Sequence, residues 1–528
     1  MKNTLKYIAL AAVVGLTSCE PEFENKVSDT GFYDTGSADM TTYVAVGNSL
    51  TAGFADGALY ITGQENSYPN IMAGQFALAG GGDTFTQPLA NDNLGGLLLN
   101  GVQIANNRLV LEVDEDGNPG PVLLEGTPTT EITSSATGPF NNMGVPGAKS
   151  FHLVAPGYGN AAGIPTGASN PYYARFATSA NATVIGDAVS LDPTFFSLWI
   201  GNNDILSFAT SGGVGVDQTG NFDPSTYGPN DITDPNVFAG AYASQVDALT
   251  AGGAGGVLIN LPDVTSIPFF TTVPFAPLDP TNPDFGPQIP TLNATFAGLN
   301  AAFAFLGVPE RSIIFSETAA SPVVVNDESL VNLSTALRDA LIAGGLDAPT
   351  ATIFGEQFGQ SRQATEEDLL VLTSSSVIAT LNEDRFAQLV ALGVPAETAG
   401  QLSVNGVTYP LEDQWVLVPA EQESIATATA AYNATINGLA SANNLGYVDA
   451  RSELATVAST GIAYNGGVLT SEFVTGGGFS LDGVHPTPRG YALVANLAIQ
   501  EINNTYGANI PMVDIGNYAT VTLANNGN

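Results

Sequence analysis

Three polar residues, far apart in the chain, have the types that nucleophilic catalysis requires. Ser49 follows a short apolar segment, and Asp482 and His485 lie close together near the C-terminus. An Asp and a His at this spacing can meet on one side of a turn, so that the carboxylate takes the Nδ1 proton and Nε2 acts as a general base. The pattern predicts a serine nucleophile activated by a histidine and an aspartate.

The position of the serine in its own segment is also informative. Gly47-Asn48-Ser49-Leu50 places Ser49 where a parallel strand is predicted to end and a helix to begin. Ligand sites of open α/β sheets lie at that edge, and backbone N–H groups there favour a developing oxyanion. By itself the segment favours a plain N-cap serine. The Asp482/His485 pair favours the catalytic interpretation.

Histidine and cysteine are rare enough to restrict the alternatives. The chain has 528 residues but only 2 His and 1 Cys. A His/Cys zinc cluster therefore lacks ligands, and an intramolecular disulfide is impossible. The other histidine, His152, has no acid at a useful spacing and is interpreted as a structural or surface residue.

Other catalytic or metal-binding motifs are weak or missing. The sequence has no Gly-Xaa-Ser-Xaa-Gly elbow, no Walker A string and no His-Glu-Xaa-Xaa-His. Asp114, Asp116 and Asn118 have the spacing of a calcium loop, but Pro119 stands where such a loop needs glycine. This segment is better explained as an acidic hairpin turn. We expect no metal and no organic cofactor.

Short apolar segments alternate with helical patterns from Thr41 onward, which predicts an α/β sandwich with a mainly parallel sheet. The predicted core strands are Tyr43 to Val46, Phe195 to Ile200, Val257 to Leu261, Ile313 to Phe315 and Leu445 to Val448. Each is short and apolar, as buried parallel strands are.

Apolar residues at helical spacing predict three of the helices. They are Phe238, Tyr242, Val246 and Leu249 in the first, Leu330, Leu333, Leu337 and Leu341 in the second, and Leu493, Leu497 and Ile502 in the last. Hairpins are predicted at Asp116-Gly117, Asn405-Gly406 and Asn465-Gly466. With no fixed-period repeat, one elaborated domain fits better than several equal ones.

Four blocks of the sequence, taken together, resemble the GDSL (SGNH) hydrolase family in that family's order. They are Gly47-Asn48-Ser49-Leu50, Gly144-Val145-Pro146-Gly147, Gly201-Asn202-Asn203-Asp204 and Asp482 to His485. The resemblance implies a three-layer α/β sandwich around a flavodoxin-like sheet. It also implies that Ser49 is the nucleophile, His485 the base and Asp482 its orienting partner. The implied oxyanion hole combines the N–H groups of Ser49 and Gly147 with the Asn203 side-chain amide.

The sequence departs from the family pattern in two ways. Asn48 stands where the family name has aspartate, which affects fine positioning more than chemistry. The gaps between the blocks are long, so the single domain predicted for 41–528 must carry insertions, at about 54–140 and about 280–420. The second insertion is a candidate lid.

The N-terminus is predicted to be a targeting signal and not part of the folded domain. Residues 1–18 have the basic start and short apolar run of a secretory signal, and they end in Leu16-Thr17-Ser18 before Cys19, the only cysteine. This resembles a bacterial lipobox, which implies lipidation of Cys19 and attachment to the cell envelope, with the outer membrane favoured. Residues 19–40 are predicted to form a flexible acidic tether.

The charge excludes some partners. With 50 acidic and 12 basic residues the formal net charge is −38, which repels nucleic acid and anionic bilayer surfaces. Contact with a membrane is therefore expected through lipid on Cys19 and not through charge.

The expected function is hydrolysis of a carboxylic ester through an acyl-serine intermediate. The apolar loop from Ile267 to Phe275 is either core cover or the lining of an acyl groove. The same catalytic residues would serve a polysaccharide O-deacetylase, and the sequence does not decide between a lipid and a glycan ester. A surface lipoprotein that binds a glycan or a protein without catalysis is the alternative from another class.

Overall fold

The central element is a sheet of five parallel strands. The computed structural model describes residues 32–114 and 117–524. The strands are β1 (Tyr43–Gly47), β2 (Asn142–Gly144), β3 (Phe195–Trp199), β4 (Gly255–Ile259) and β5 (Gly446–Val448). Their spatial order is β2-β1-β3-β4-β5, and all neighbours are parallel. The predicted α/β class with a mainly parallel sheet is therefore confirmed.

The sheet is covered on both faces, which explains the composition of its strands. Every residue of β1 and of β3 is buried, as continuous apolar strands of a parallel sheet require. The register is fixed by pairs such as Tyr43 beside Phe195 and Ala45 beside Asn142. A slip by one residue would exchange the side chains of the two faces.

Four of the five predicted core strands lie in this sheet, and one prediction is wrong. Ile313 to Phe315 is not a strand; Ile313 and Phe315 are buried in a second core outside the sheet, and Ile314 between them is exposed. The edge strand Asn142–Gly144 was missed because it is short and has no apolar run.

Helices make up most of the remaining regular secondary structure of the described chain. They are α1 (Ser49–Ala52), α2 (Ile61–Glu65), α3 (Tyr68–Leu78), α4 (Pro171–Ala174), α5 (Val184–Val189), α6 (Asn203–Thr210), α7 (Pro235–Thr250), α8 (Pro268–Thr271), α9 (Ile289–Phe305), α10 (Ser334–Ala343), α11 (Ala348–Phe358), α12 (Glu383–Ala391), α13 (Ala396–Gln401), α14 (Pro419–Asn443), α15 (Ala450–Ser459) and α16 (Pro488–Tyr506). α3 packs against α16, and α7 packs against α5 and α14. No helix in the described ranges has the length and apolarity needed to cross a membrane.

The predicted helices are correct in two cases and partly wrong in the third. All four apolar residues predicted for α7 are buried along one face. α10 begins only at Ser334, so Leu330 and Leu333 precede it. In α16, Ile502 is in the core, whereas Leu493 and Leu497 are only partly buried.

Short antiparallel strands decorate the body. Their ranges are Leu97–Leu99 with Val102–Ala105, Leu109–Val113 with Pro119–Leu123, Val324–Asn326 with Ser361–Gln363, Leu369–Leu370 with Val416–Leu417 and Ile462–Tyr464 with Gly467–Leu469, and Thr130–Glu131 pairs in parallel with the first of them. The second and fifth pairs are predicted hairpins, although Asp116 itself lies outside the described residues. The predicted hairpin at Asn405-Gly406 is wrong: Gly406 forms a tight turn and accepts a hydrogen bond from Val324 N–H, so no ladder follows.

The two predicted insertions differ in character. Most of the buried hydrophobic residues between Leu278 and Val418 form a core of their own, separate from the core around the sheet, although Val371 and Leu417 belong to the latter. The stretch 54–140, by contrast, is not all decoration. It contains α3, whose Tyr68, Met72 and Phe76 are buried in the core of the sheet.

The chain packs onto the body before Thr41. Ser37 N–H donates to the Tyr506 carbonyl at 2.9 Å, Asp34 pairs with Asn509, and Met40 is buried. This part of the predicted 19–40 tether is therefore attached to the domain. The predicted signal peptide 1–18 and Cys19 lie outside the described residues.

Gly144 on β2 permits the edge strand to approach α1, the helix that begins with Ser49. A Cβ at this position would lie 2.3 Å from Ala52 N, a backbone atom that cannot move independently. We expect Gly144→Ala to destabilise the fold by roughly 1–3 kcal/mol or more. In the control Gly74→Ala, on an exposed face of α3 with no neighbour within 4 Å, we expect a gain of about 0.5–1 kcal/mol. Urea unfolding measures both, and equal effects would contradict the packing argument.

Candidate active site

The loops after β1 and β3 form the framework of the site. The strand order changes direction between these two strands, and their carboxyl ends lead to Ser49 and to Asn203. Ligands of open α/β sheets bind at such a point. The two loops are joined because the Asn48 amide donates to Asn202 Oδ1 at 3.0 Å. Asn48 also caps α1 by accepting from Leu50 N–H at 3.0 Å.

Ser49, His485 and Asp482 form a continuous chain of hydrogen bonds. His485 Nε2 lies 2.9 Å from Ser49 Oγ, and His485 Nδ1 lies 2.8 Å from Asp482 Oδ2. Since an ionised carboxylate only accepts, Nδ1 carries the proton and Nε2 is free to accept one from the serine. The side chains of His485 and Asp482 are 13% and 14% exposed, and Ser49 is 6% exposed. The arrangement can activate the serine as a nucleophile.

The carboxylate of Asp482 is held by five hydrogen bonds. Besides His485 Nδ1, it accepts from the N–H groups of Gly57, Val484 and His485 and from Ser480 Oγ, at 2.9–3.0 Å. Burial acts to raise the pKa of Asp482, but His485 and these backbone donors outweigh it and lower the pKa to about 2. Asp482 is thus ionised over the whole neutral range.

A second buried carboxylate supports the loop that carries Asp482. Asp56 accepts from Leu481 N–H and from the Tyr60 hydroxyl, at 3.1 and 2.8 Å, and its own N–H donates to Ser480 Oγ at 2.9 Å. Burial raises the pKa of Asp56. Sequence analysis missed this residue. Its left-handed backbone, with φ of 54°, leads into Gly57, and an Asp-Gly turn is the only sequence signal for it.

The predicted oxyanion donors lie in three neighbouring loops. Gly147 follows β2, and the N–H groups of Ser49 and Gly147 have no hydrogen-bond partner among the described residues. One N–H of the Asn203 amide donates to the Ala148 carbonyl at 2.9 Å, which fixes its plane and leaves the second N–H. Asn203 lines the same cavity as Ser49, whereas Gly147 is not among its lining residues.

Asp204 fixes the Asn203 loop to the Gly147 loop. Its buried carboxylate accepts from Ser150 N–H at 2.8 Å and from Ser150 Oγ at 2.7 Å. Burial raises the pKa of Asp204, while the Ser150 donors and the nearby Lys149 act to lower it. Asp204 is part of the block Gly201-Asn202-Asn203-Asp204, but sequence analysis gave it no role. The structure shows that it positions Ser150 relative to Asn203.

The cavity at Ser49 and His485 has a volume of about 110 Å³. Ile267 lines it, as one interpretation of the apolar loop predicted, but Phe270 is buried in the core and Phe275 packs against the second core. None of the described residues of 280–420 lines this cavity, so the candidate lid does not cover it in this structure.

The contacts of His152 are those of a structural residue. Its Nδ1 accepts from Lys149 N–H at 3.0 Å, and its ring stacks on Tyr158 with centroids 4.4 Å apart. Burial and the Lys149 charge lower the pKa of His152 to about 4. It has no acidic partner of the kind that Asp482 provides for His485.

One group of acidic residues in the described ranges has the spacing of cation ligands. The carboxylate oxygens of Glu328, Asp413 and Glu421 lie within 4.8 Å of one another, away from Ser49. Burial and Glu328 raise the pKa of Asp413 to about 7. Burial, Glu328 and Asp413 raise the pKa of Glu421 to about 9. At neutral pH Glu421 therefore holds a proton and Asp413 is only partly ionised, so the group does not carry a full set of charges.

Glu421→Gln tests this proton uptake. The folded state keeps a proton on Glu421 that the unfolded chain releases near pH 4.3, so the free energy of unfolding falls as pH rises from about 5 to about 9. Gln has no charge and still accepts the Val418 N–H, which Glu421 accepts at 2.8 Å. We expect the variant to lose less stability than the wild type between these pH values. Thermal melts at pH 5, 7 and 9 measure this, with the exposed Glu423→Gln on the same helix as control; parallel curves for all three proteins would refute it.

Comparison with known proteins gives no family or relative. The sequence matches no protein-family model, no curated protein and no solved structure. A functional assignment for this chain therefore depends on the geometry of the site described above.

Proposed function

We propose that this protein is a serine-dependent carboxylic ester hydrolase that acts through an acyl-enzyme intermediate. The observation that carries the proposal is the unbroken chain from Ser49 Oγ through His485 to the buried Asp482 carboxylate, with both contacts below 3 Å. A nucleophile, a base and an orienting acid at these distances are the parts of a catalytic triad.

In the proposed reaction His485 carries the proton of the Ser49 hydroxyl to the leaving group. Ser49 Oγ attacks the ester carbonyl carbon while His485 Nε2 takes the hydroxyl proton. The imidazolium is stabilised by Asp482, and it then gives the proton to the departing alkoxide, which leaves as the alcohol. A water molecule gives a proton to His485 and attacks the acyl carbon; the bond between this carbon and Ser49 Oγ then breaks, Oγ takes the proton back from His485, and the carboxylic acid leaves. All groups come from the protein, so the reaction needs no cofactor.

The negative charge on the carbonyl oxygen requires donors. The free N–H groups of Ser49 and Gly147 and the remaining N–H of Asn203 are proposed to supply them. An amide donates without carrying a titrating charge, and donors already fixed in place need no reorganisation during the reaction. The Asp204 contacts with Ser150 support this proposal because they hold two of the three loops together.

The fold supports a GDSL/SGNH assignment as part of the proposal. Counted along the chain, the five strands have the spatial order 2-1-3-4-5, which is that of flavodoxin-like sheets. The four sequence blocks lie at the ends of β1, β2 and β3 and before α16. Lipidation at Cys19, which lies outside the described residues, would place the enzyme at the bacterial cell envelope with a lipid or glycan ester as substrate.

Two other functions remain to be separated by experiment. A polysaccharide O-deacetylase would use the same three residues on a different groove, and a glycan- or protein-binding lipoprotein would use none of their chemistry. A binding protein does not require the hydrogen-bond chain at Ser49, so the presence of this chain favours an enzyme.

Substitution of the triad tests the mechanism. We expect Ser49→Ala and His485→Ala to lower kcat for p-nitrophenyl esters by about a millionfold. Asp482→Asn should lower it by about 10⁴-fold because the wrong histidine tautomer is favoured. Fluorophosphonate labelling, which needs an activated serine, should disappear in Ser49→Ala.

His152→Gln is the matched histidine control, since Gln can still accept the Lys149 N–H. It should retain turnover and labelling. Undiminished ester turnover in folded Ser49→Ala would show that the proposed nucleophile is wrong.

Asn203→Ala tests the oxyanion donor. We expect kcat to fall by roughly 100- to 1000-fold with little change in KM, because the lost hydrogen bond forms mainly in the transition state. Asn203→Asp keeps the shape but accepts where Asn donates, so it should be equally impaired. A change confined to KM in both variants would assign Asn203 to ground-state binding instead.

A further inference from the structure

The cavity beside Ser49 is bounded on one side by a single face of α15. Its lining residues there are Ala450, Glu453, Leu454 and Val457. These positions are i, i+3, i+4 and i+7, so they form one stripe along two turns of the helix. Leu454 is only partly buried although it packs against the core, because it faces the cavity.

A stripe of α16 with the same spacing also lines the cavity. It consists of Gly490, Leu493, Val494 and Leu497. The three aliphatic side chains are again partly buried against the core. The space between these two stripes is named here the α15–α16 groove, and Ser49 and His485 line the same cavity.

The length of the groove follows from helix geometry. The seven steps from Gly490 to Leu497, or from Ala450 to Val457, advance about 10 Å along an α-helix. An extended alkyl chain advances about 1.3 Å per carbon–carbon bond of about 1.5 Å. The groove therefore matches a linear chain of about eight carbons.

The polarity of the groove separates a lipid from a glycan. Apart from Ser49, His485, Asn202 and Asn203 at the reacting end, the lining residues are apolar with the exception of Glu453. A sugar ring needs several placed donors and acceptors, which this lining lacks. An acetyl group would leave most of the groove empty, and the Glu453 carboxylate disfavours a chain with an anionic end.

We infer that the α15–α16 groove binds the acyl chain of the substrate, a neutral linear chain of about six to eight carbons. The inference rests on the proposed serine hydrolase function. The acyl part is favoured over the alcohol part because it stays bonded to Ser49 while the alcohol leaves and water enters. A leaving chain held between two helices would have to vacate the groove before each deacylation.

The test uses residues 20–528 and a p-nitrophenyl series of acetate, butyrate, hexanoate, octanoate and palmitate. We expect kcat/KM to rise roughly fourfold per added CH₂, about 100-fold or more from acetate to hexanoate, and to stop rising near octanoate. A second series, alkyl acetates from ethyl to octyl, varies only the alcohol and should show no comparable rise.

Leu454→Trp, which fills the groove, should lower the octanoate-to-acetate ratio of kcat/KM at least tenfold. Ala455→Trp is the matched control, because Ala455 is exposed on the same helix and does not line the cavity; its ratio should equal that of the wild type. Val494→Trp, in the α16 stripe, tests the same groove if Leu454→Trp fails to fold.

The outcomes distinguish the groove from the mechanism. Absence of both turnover and fluorophosphonate labelling would overturn the serine mechanism, and the groove's role with it. Labelled Ser49 with a flat or acetate-favouring acyl profile, or with no turnover of any ester, would overturn the acyl assignment alone. A rise in the alkyl acetate series instead would assign the groove to the alcohol and overturn the inference.

Discussion

The buried, ionised carboxylate of Asp482 is the constraint on which the rest of the site depends. A carboxylate out of water is costly unless donors replace its hydration. Here three backbone N–H groups, one hydroxyl and the His485 ring provide them. Those donors come from two distant parts of the chain, Gly57 and the 480–485 loop. Solvation of one charge therefore fixes both loops and, through them, the orientation of the imidazole toward Ser49.

The same principle of paired buried polar groups positions the other side of the site. Asn48 with Asn202 joins the loops of β1 and β3, and Asp204 with Ser150 joins the loops of β3 and β2. These contacts lie at the end of the sheet where the strand order reverses. Backbone geometry alone would leave three loops free to move independently, and these side-chain contacts hold them in one arrangement, as preorganised catalysis requires.

Sequence analysis succeeded where the local signal was unambiguous. The contact among Ser49, His485 and Asp482 was predictable because the chain has few histidines and only one with an acid beside it. The strands β1 and β3 were predictable because continuous apolar runs are typical of buried parallel strands. The same signal misled at Ile313 to Phe315, since an apolar run whose Ile313 and Phe315 are buried in a separate core has the same sequence pattern as a strand of the sheet. Asp56 and the edge strand at Asn142 were missed because neither has a periodic pattern: their positions are set by contacts with residues far along the chain.

The α16 stripes show why a groove is harder to predict than a core. Tyr491, Ala495, Ala498, Ile499 and Ile502 form one buried face of this helix, while Leu493 and Leu497 belong to a second apolar face. Both faces have helical spacing, so periodicity alone placed Leu493, Leu497 and Ile502 on one helix without separating its two faces. One apolar stripe is enough to dock a helix on its domain. A second stripe that stays partly exposed beside Ser49 is not explained by folding, and the proposed acyl chain would give it a physical reason.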